Sequence, residues 1–172
     1  MFILNHVKPE DATGKVAEAY SIFPEGVPIP APLLLMSASP DLAQAQSNII
    51  RYYMGHEKLD AGLLSMIRYL VANELDYEFC INFNQGLLKM AGGFSDDELK
   101  ALRERPEEAP LEDFQKELLL FVLKVVKTPE KVGKDDVERL RGLGWTDQEI
   151  FDAAYHGVSM VGPATLIKAF SE

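Results

Sequence analysis

The chain carries a single cysteine, Cys80, inside the aromatic-rich segment of residues 77–84. One thiol cannot close a disulfide within the chain, so a redox cycle that needs two thiols of one subunit is excluded. Two interpretations of the residue stay open. Cys80 is either a buried, inert side chain or the reactive thiol of a one-cysteine site.

Local features push the acidity of Cys80 in opposite directions. If Asp76 caps a helix that starts near Tyr77, Cys80 lies close to the first turn, where the helix dipole favours a thiolate. The acidic side chains of Glu74, Asp76 and Glu78 and the apolar neighbours disfavour a thiolate. The balance of these effects predicts an inert, buried thiol.

Three more polar side chains are candidates for binding or chemistry. Tyr77, Cys80 and Asn84 share one helix face by their i, i+3 and i+7 spacing, which makes Asn84 an amide in an apolar stripe that needs partners. Asn84 binds either a ligand or a neighbouring protein group. His156 is either an acid or base in a pocket or a structural histidine.

Helical periodicity dominates the sequence and no alternating strand pattern is found, so the predicted fold class is all-α. One domain, 1–172, is expected, with N-terminal helices and a proline-rich arm in 1–58 and core helices in 59–172. The predicted helices cover residues 11–23, 41–54, 61–75, 77–91, 114–125 and 135–143, with further helices after residues 32, 95 and 146.

Local signals add detail to this prediction. Helices 61–75 and 77–91 are apolar on most sides and are the predicted core pair. The buried face of helix 41–54 is expected to be the stripe Leu42, Ala45, Ile49 and Tyr52 or Tyr53. Ser95 and Thr146 each begin a capping box, and Gly162-Pro163 is expected to kink or restart the last helix.

Composition bounds the partners and the compartment. A formal net charge of −10 makes nucleic acid and anionic membrane surfaces unfavourable partners. No segment has the length of a membrane span or the pattern of a signal peptide, and one cysteine suits a reducing compartment, so a cytoplasmic protein is expected. Three scattered histidines give no metal-binding spacing, and no metal or cofactor is expected.

Several segments together resemble the carboxymuconolactone decarboxylase and alkyl hydroperoxidase D superfamily, in particular its peroxidase-related branch. They are residues 12–20, Val27-Pro28, residues 39–42 and the Cys80 helix that ends in Ala91-Gly92. The resemblance implies an alkyl hydroperoxidase D-like helical bundle that assembles as a homo-oligomer, a dimer, trimer or hexamer. The wide apolar arcs of helices 61–75 and 77–91 favour such an assembly.

Active members of this superfamily use a Cys-x-x-Cys-x-x-x-His motif and a glutamate from the preceding helix. By resemblance, the second cysteine corresponds to Cys80, the first to Tyr77, the histidine to Asn84 and the glutamate to Ser65. Neither Ser65 nor Asn84 can serve as a base near neutral pH. The resemblance therefore locates a site without implying its usual activity.

Two classes of function follow, and whether the chain is an enzyme stays open. The first interpretation is a non-redox, small-molecule-binding oligomer that has lost the two-cysteine centre, with Ser65, Tyr77, Asn84 and His156 at the site. The alternative is an enzyme, either a one-cysteine peroxidase-like protein using Cys80 or a cofactor-free decarboxylase-like one. A decarboxylase needs an anchor for a carboxylate, which Arg51 or Arg68 would supply.

Overall fold

The computed structural model describes residues 2–24 and 26–172. Regular structure in these ranges is helical, apart from an isolated bridge between Phe2 and Ser171, which confirms the all-α prediction. The helices are α1 (Gly14–Tyr20), α2 (Ala31–Met36), α3 (Pro40–Met54), α4 (Ala61–Glu74), α5 (Glu78–Gly92), α6 (Asp96–Glu104), α7 (Asp113–Lys127), α8 (Lys134–Gly142), α9 (Asp147–Val158) and α10 (Val161–Phe170). Short 3-10 turns span Pro9–Asp11, Pro106–Glu108 and Pro129–Lys131.

The chain divides into two compact units, which are Met1–Glu57 with Pro163–Glu172, and Lys58–Gly162. In the first unit, α1 and α2 pack against α3. Its core is small, and burial of apolar side chains there provides the main stabilisation. The core residues are Val16, Ala19, Tyr20, Leu33 and Ala43. The single domain expected from the sequence stays a prediction.

The predicted buried face of α3 is correct at Tyr53, which is buried, and wrong at the start of the helix. Leu42 is 51% exposed and Ala45 is also exposed, whereas Ala43 and Ser47 are fully buried. Small side chains at positions 43 and 47 leave room for α1 to approach, and the Ser47 hydroxyl donates to the Gln44 carbonyl at 2.8 Å. The hydrophobic pattern missed this face because a satisfied serine occupies the contact.

Helix α4 is the centre of the second unit and packs against α5, α7 and α9. The Asp60 carboxylate caps it by accepting from the Leu63 amide at 2.9 Å. Its buried arc is as wide as the sequence predicts. The arc includes Leu63, Leu64, Ile67, Leu70 and Val71.

The prediction that residues 77–91 form an equally buried core helix is wrong. Only one face of α5 is buried, at Cys80, Asn84 and Leu88, which follow one another every four residues. Phe79 is 37% exposed and Met90 is 87% exposed. Apolar composition alone could not show that α5 packs chiefly along one side, against α4.

The predicted helix boundaries are mostly correct. Both capping boxes are confirmed, because Ser95 and Thr146 accept from the amides of Glu98 and Glu149 at 3.3 and 3.2 Å. Helix α10 restarts after α9 with Pro163 in its first turn, as expected. The first helix is shorter than predicted because residues 9–11 form a 3-10 turn.

No helix within residues 2–24 and 26–172 combines the length and the apolar character needed to cross a membrane. The same residues contain no group of three or more His, Cys, Asp or Glu side chains arranged to hold a metal ion.

Gly157 marks the closest approach of three helices in the second unit. A Cβ atom at this position of α9 would overlap Cγ1 of Val122 on α7 and would lie 3.7 Å from Cγ2 of Ile67 on α4. The absent side chain therefore sets the distance of α9 from α4 and α7, and with it the position of the adjacent His156.

We expect Gly157→Ala to lower the free energy of unfolding by about 1–3 kcal/mol, because the new methyl group overpacks the α7 contact. Chemical denaturation followed by circular dichroism measures this. The matched control is Gly86→Ala in α5, where a Cβ atom meets nothing within 4 Å. This control should raise stability by up to about 1 kcal/mol through helix propensity, and an equal gain at Gly157 would contradict the close approach.

Candidate functional site

Arg68 of α4 joins three helices of the second unit through its guanidinium. Its Nε donates to Oδ1 of Asn84 on α5 at 2.9 Å, and its Nη2 donates to Oγ of Ser65 at 2.9 Å. Its Nη1 lies 3.2 Å from Nε2 of His156 on α9. Three residues singled out by the sequence thus surround one arginine.

The helices orient the side chains that contact Arg68. Ser65 and Arg68 are three residues apart on α4 and so lie on one side of the helix. Asn84 is 1% exposed, and its Nδ2 donates to the Cys80 carbonyl at 2.8 Å, which leaves Oδ1 to face Arg68. The amide orientation is therefore set by the hydrogen bonds on both of its ends.

The contact with Arg68 also fixes the protonation of His156. A guanidinium has donors only, so Nε2 of His156 must accept the hydrogen bond and the ring must be neutral. Burial, with a smaller effect from the Arg68 charge, lowers the pKa of His156 to about 3, against a hydrogen bond to the Leu64 backbone that raises it. His156 is therefore an acceptor for Arg68 and is poorly suited to be a base at neutral pH.

Arg68 lacks a carboxylate partner among the described residues. Its hydrogen bonds all go to neutral groups, and the residue is only partly exposed. Burial of the guanidinium lowers the pKa of Arg68 to about 10, with a small opposing effect from Cys80. The side chain still carries its charge at neutral pH, so the site holds a half-buried cation without an anion.

The guanidinium also has N–H groups that these three hydrogen bonds do not use. It has five N–H groups, and three of them serve Ser65, Asn84 and His156, which leaves two without an acceptor in the part of the chain described. Charged donors in a low-dielectric environment bind anions strongly. The arrangement therefore combines a positive charge with hydrogen-bond donors that no described protein group uses.

Tyr77 and Cys80 lie next to each other at the start of α5. The Tyr77 hydroxyl is the one buried side-chain oxygen or nitrogen of the described residues that has no hydrogen-bond partner. It interacts with the Cys80 thiol, and burial raises the pKa of both groups, in Cys80 to about 11. The charge of Arg68 and the Tyr77 hydroxyl lower the Cys80 pKa by less than burial raises it.

The expected cap of α5 by Asp76 is wrong. Asp76 has a φ of 48°, in the left-handed region, and Tyr77 occupies the N-cap position without a capping side-chain hydrogen bond. Cys80 still lies in the first turn of α5, but burial dominates its acidity. The sequence expectation of a buried thiol agrees with its exposure of 6%.

The structure brings the predicted site residues together around a residue that the sequence ranked lower. Ser65, Asn84 and His156 contact Arg68, and Cys80 interacts with it electrostatically. Arg68 was one of two candidate anchors, and the signal that favours it is its place as a cation within the otherwise apolar arc of α4. The other candidate, Arg51, is exposed and bonds to Asn48 and to the Glu18 carbonyl within the first unit.

Solved structures of other proteins share the fold of this chain. No family model and no curated protein matches the sequence. A solved structure of an uncharacterised peroxidase-related protein with the alkylhydroperoxidase AhpD core, from Ralstonia eutropha JMP134, matches with a TM-score of 0.80 and 18% identity, over 98% of this chain and 90% of that one. An uncharacterised peroxidase-related protein from Silicibacter sp. TM1040 matches with a TM-score of 0.76 and 19% identity, over 90% of this chain and 82% of that one.

Identities this low establish shared architecture and leave the activity to be argued from the site. The resemblance drawn from the sequence is confirmed at this level. The chain has the alkylhydroperoxidase D-like, all-α core fold of peroxidase-related proteins.

Proposed function

We propose that this protein is a non-redox binder of a small organic anion, held at the Arg68 site. The observation that supports this most is a half-buried guanidinium that bonds only to the neutral groups of Ser65, Asn84 and His156. A partly desolvated cation without an anion is costly for a fold to maintain. An anionic ligand would remove this cost in the bound state.

The chemistry around Arg68 suits binding better than reaction. His156 is neutral and already accepts from Arg68, and Ser65 and Asn84 are neutral at all ordinary pH values. The net charge of this hydrogen-bonded group is therefore one positive charge at neutral pH. A monoanion neutralises it, whereas proton transfer would require a base with a pKa near 7.

The one-cysteine peroxidase alternative has less support. Peroxide reduction requires a thiolate, and the raised pKa of Cys80, about 11, leaves the thiol almost wholly protonated at pH 7. No described group contacts the thiol as a base, since Tyr77 is itself a weaker acid after burial. The site therefore opposes thiolate formation.

The decarboxylase-like alternative would use Arg68 to hold the substrate carboxylate, but the described residues of the site lack the base that the reaction needs. Arg68 would hold a carboxylate, as that chemistry requires, and Tyr77 would be a proton donor. A base is needed to complete such a reaction, and His156, with its pKa of about 3, does not supply one. Binding without turnover is the function that these residues favour.

Assembly and compartment are part of the proposal. A homo-oligomer is supported by large apolar side chains left exposed on the second unit, among them Phe79, Met90 and Phe151. A reducing, cytoplasmic location is supported by the free Cys80.

We expect native protein to bind benzoate, and Arg68→Gln to bind it about thirtyfold more weakly or worse, because truncating a buried charged partner removes 2 kcal/mol or more of binding energy. Isothermal titration calorimetry at low ionic strength measures the affinity. Circular dichroism verifies that each variant is folded.

Arg51→Gln is the matched control, since it removes the same charge from an exposed residue of the first unit. Its affinity for benzoate should equal that of native protein. The proposal is wrong if native protein binds none of benzoate, octanoate, succinate and inorganic phosphate, or if Arg68→Gln binds them as tightly as native protein does.

The chemistry of Cys80 gives a second prediction. Because burial raises its pKa from 9.0 to about 11, its thiolate fraction near neutral pH should be about a hundredfold below that of an ordinary cysteine. Iodoacetamide labelling of the folded protein should be slow at pH 7 and accelerate about tenfold per pH unit up to pH 9. Labelling in denaturant should be fast.

Hydroperoxide consumption with an added external thiol separates binding from peroxidase function. Native protein and Cys80→Ser should consume hydroperoxide equally slowly. Rapid labelling at pH 7, together with consumption that Cys80→Ser abolishes, would instead establish the one-cysteine peroxidase.

A further inference from the structure

We propose that the anion is a monocarboxylate, and that the Tyr77 hydroxyl and the two free N–H groups of Arg68 together hold its two oxygens. This inference rests on the proposed function and specifies it. It names Tyr77 as the residue that determines which anion is bound. The starting observation is the unpartnered Tyr77 hydroxyl.

Two other buried tyrosines each donate a hydrogen bond from the hydroxyl to a backbone carbonyl. The Tyr20 hydroxyl donates to the Val7 carbonyl at 2.8 Å, and the Tyr69 hydroxyl donates to the Leu99 carbonyl at 3.3 Å. Tyr77 is as deeply buried, with 3% of its surface exposed, yet its hydroxyl has no hydrogen-bond partner of ordinary geometry and interacts only with the Cys80 thiol, which is a weak acceptor. A phenylalanine would fill the same space without a buried, unsatisfied donor, so the hydroxyl needs a reason to be there.

Tyr77 and Arg68 are linked through Cys80. Arg68 donates to Asn84, which donates to the Cys80 carbonyl, and Tyr77 lies three residues before Cys80 at the start of α5. The three groups therefore lie in one neighbourhood, and the Cys80 thiol interacts with both the Tyr77 hydroxyl and the Arg68 charge. The free N–H groups of Arg68 and the O–H group of Tyr77 are all donors. Several donors without an acceptor match an acceptor-only ligand, and a carboxylate is one.

The balance of charge selects a monoanion over phosphate or a dicarboxylate. Arg68 is the one cation of its hydrogen-bonded group, and Tyr77 and Cys80 stay neutral at pH 7 because burial raises the pKa of each. A second negative charge would be desolvated without a partner. The acidic Glu74, Asp76 and Glu78 flank the site in sequence, and the net charge of −10 adds to the repulsion.

Tyr77→Phe is the experiment that tests this role. We expect the affinity for benzoate to fall about tenfold or more, because a hydrogen bond to a charged group is lost. The midpoint of urea unfolding without ligand should stay the same or rise, because the variant removes an unsatisfied buried hydroxyl. Loss of affinity without loss of stability is a signature that a merely structural tyrosine would not give.

Tyr69→Phe is the matched control, because its hydroxyl is buried and already has the Leu99 carbonyl as a partner. It should lower the unfolding midpoint and leave the benzoate affinity unchanged. Affinities of native protein for benzoate, succinate and inorganic phosphate are compared at constant ionic strength. The comparison is made at about pH 8, where succinate and most of the phosphate are dianions. Benzoate should bind at least tenfold more tightly than either.

The outcomes distinguish this inference from the proposed function. If anions bind in an Arg68-dependent manner but Tyr77→Phe retains full affinity, or if phosphate binds as tightly as benzoate, the monocarboxylate inference is overturned and the anion site stands. If no anion binds, or if binding is independent of Arg68, both are overturned. Selective benzoate binding that needs Arg68 and Tyr77 supports both.

Discussion

The hydrogen bonds of the half-buried Arg68 guanidinium are the interactions on which the arrangement of the site in the second unit depends. Two of these hydrogen bonds connect α4 with α5 and α9, and the third is made to Ser65 on α4. The guanidinium is planar and each of its N–H groups points in a fixed direction. It therefore orients the side chains of Asn84 and His156. The identity of His156 as a neutral acceptor follows from this contact.

The site departs from the rules that the rest of the unit follows. Elsewhere in the described chain, buried polar side chains are partnered, as at Ser47 and Tyr69. At the site, a cation lacks an anion and the Tyr77 hydroxyl lacks an acceptor. Such departures destabilise a protein and are typical of functional sites, which is why the proposed anion binding is placed here.

The fold gives the site its position without giving it a chemistry. Solved proteins with the same core are peroxidase-related, and the residues here that correspond by resemblance to the catalytic groups are Ser65, Tyr77, Cys80 and Asn84. Among the residues that contact one another at this position, Arg68 is the one that carries a charge at neutral pH. One scaffold can host different functions, because function depends on a few residues at one site.

Sequence alone determined the all-α class, the capped starts of α6 and α9, the deeply buried α4 and a candidate site near Cys80. These follow from local physics, since capping and hydrophobic periodicity act within a few residues. The tertiary structure decided that α5 is buried on one face, that Ser47 rather than Leu42 lies inside, and that Arg68 rather than Arg51 lies among the site residues. Sequence could not reveal these because burial and hydrogen bonding of a side chain depend on helices distant in the chain, and Arg68 meets His156 across 88 positions.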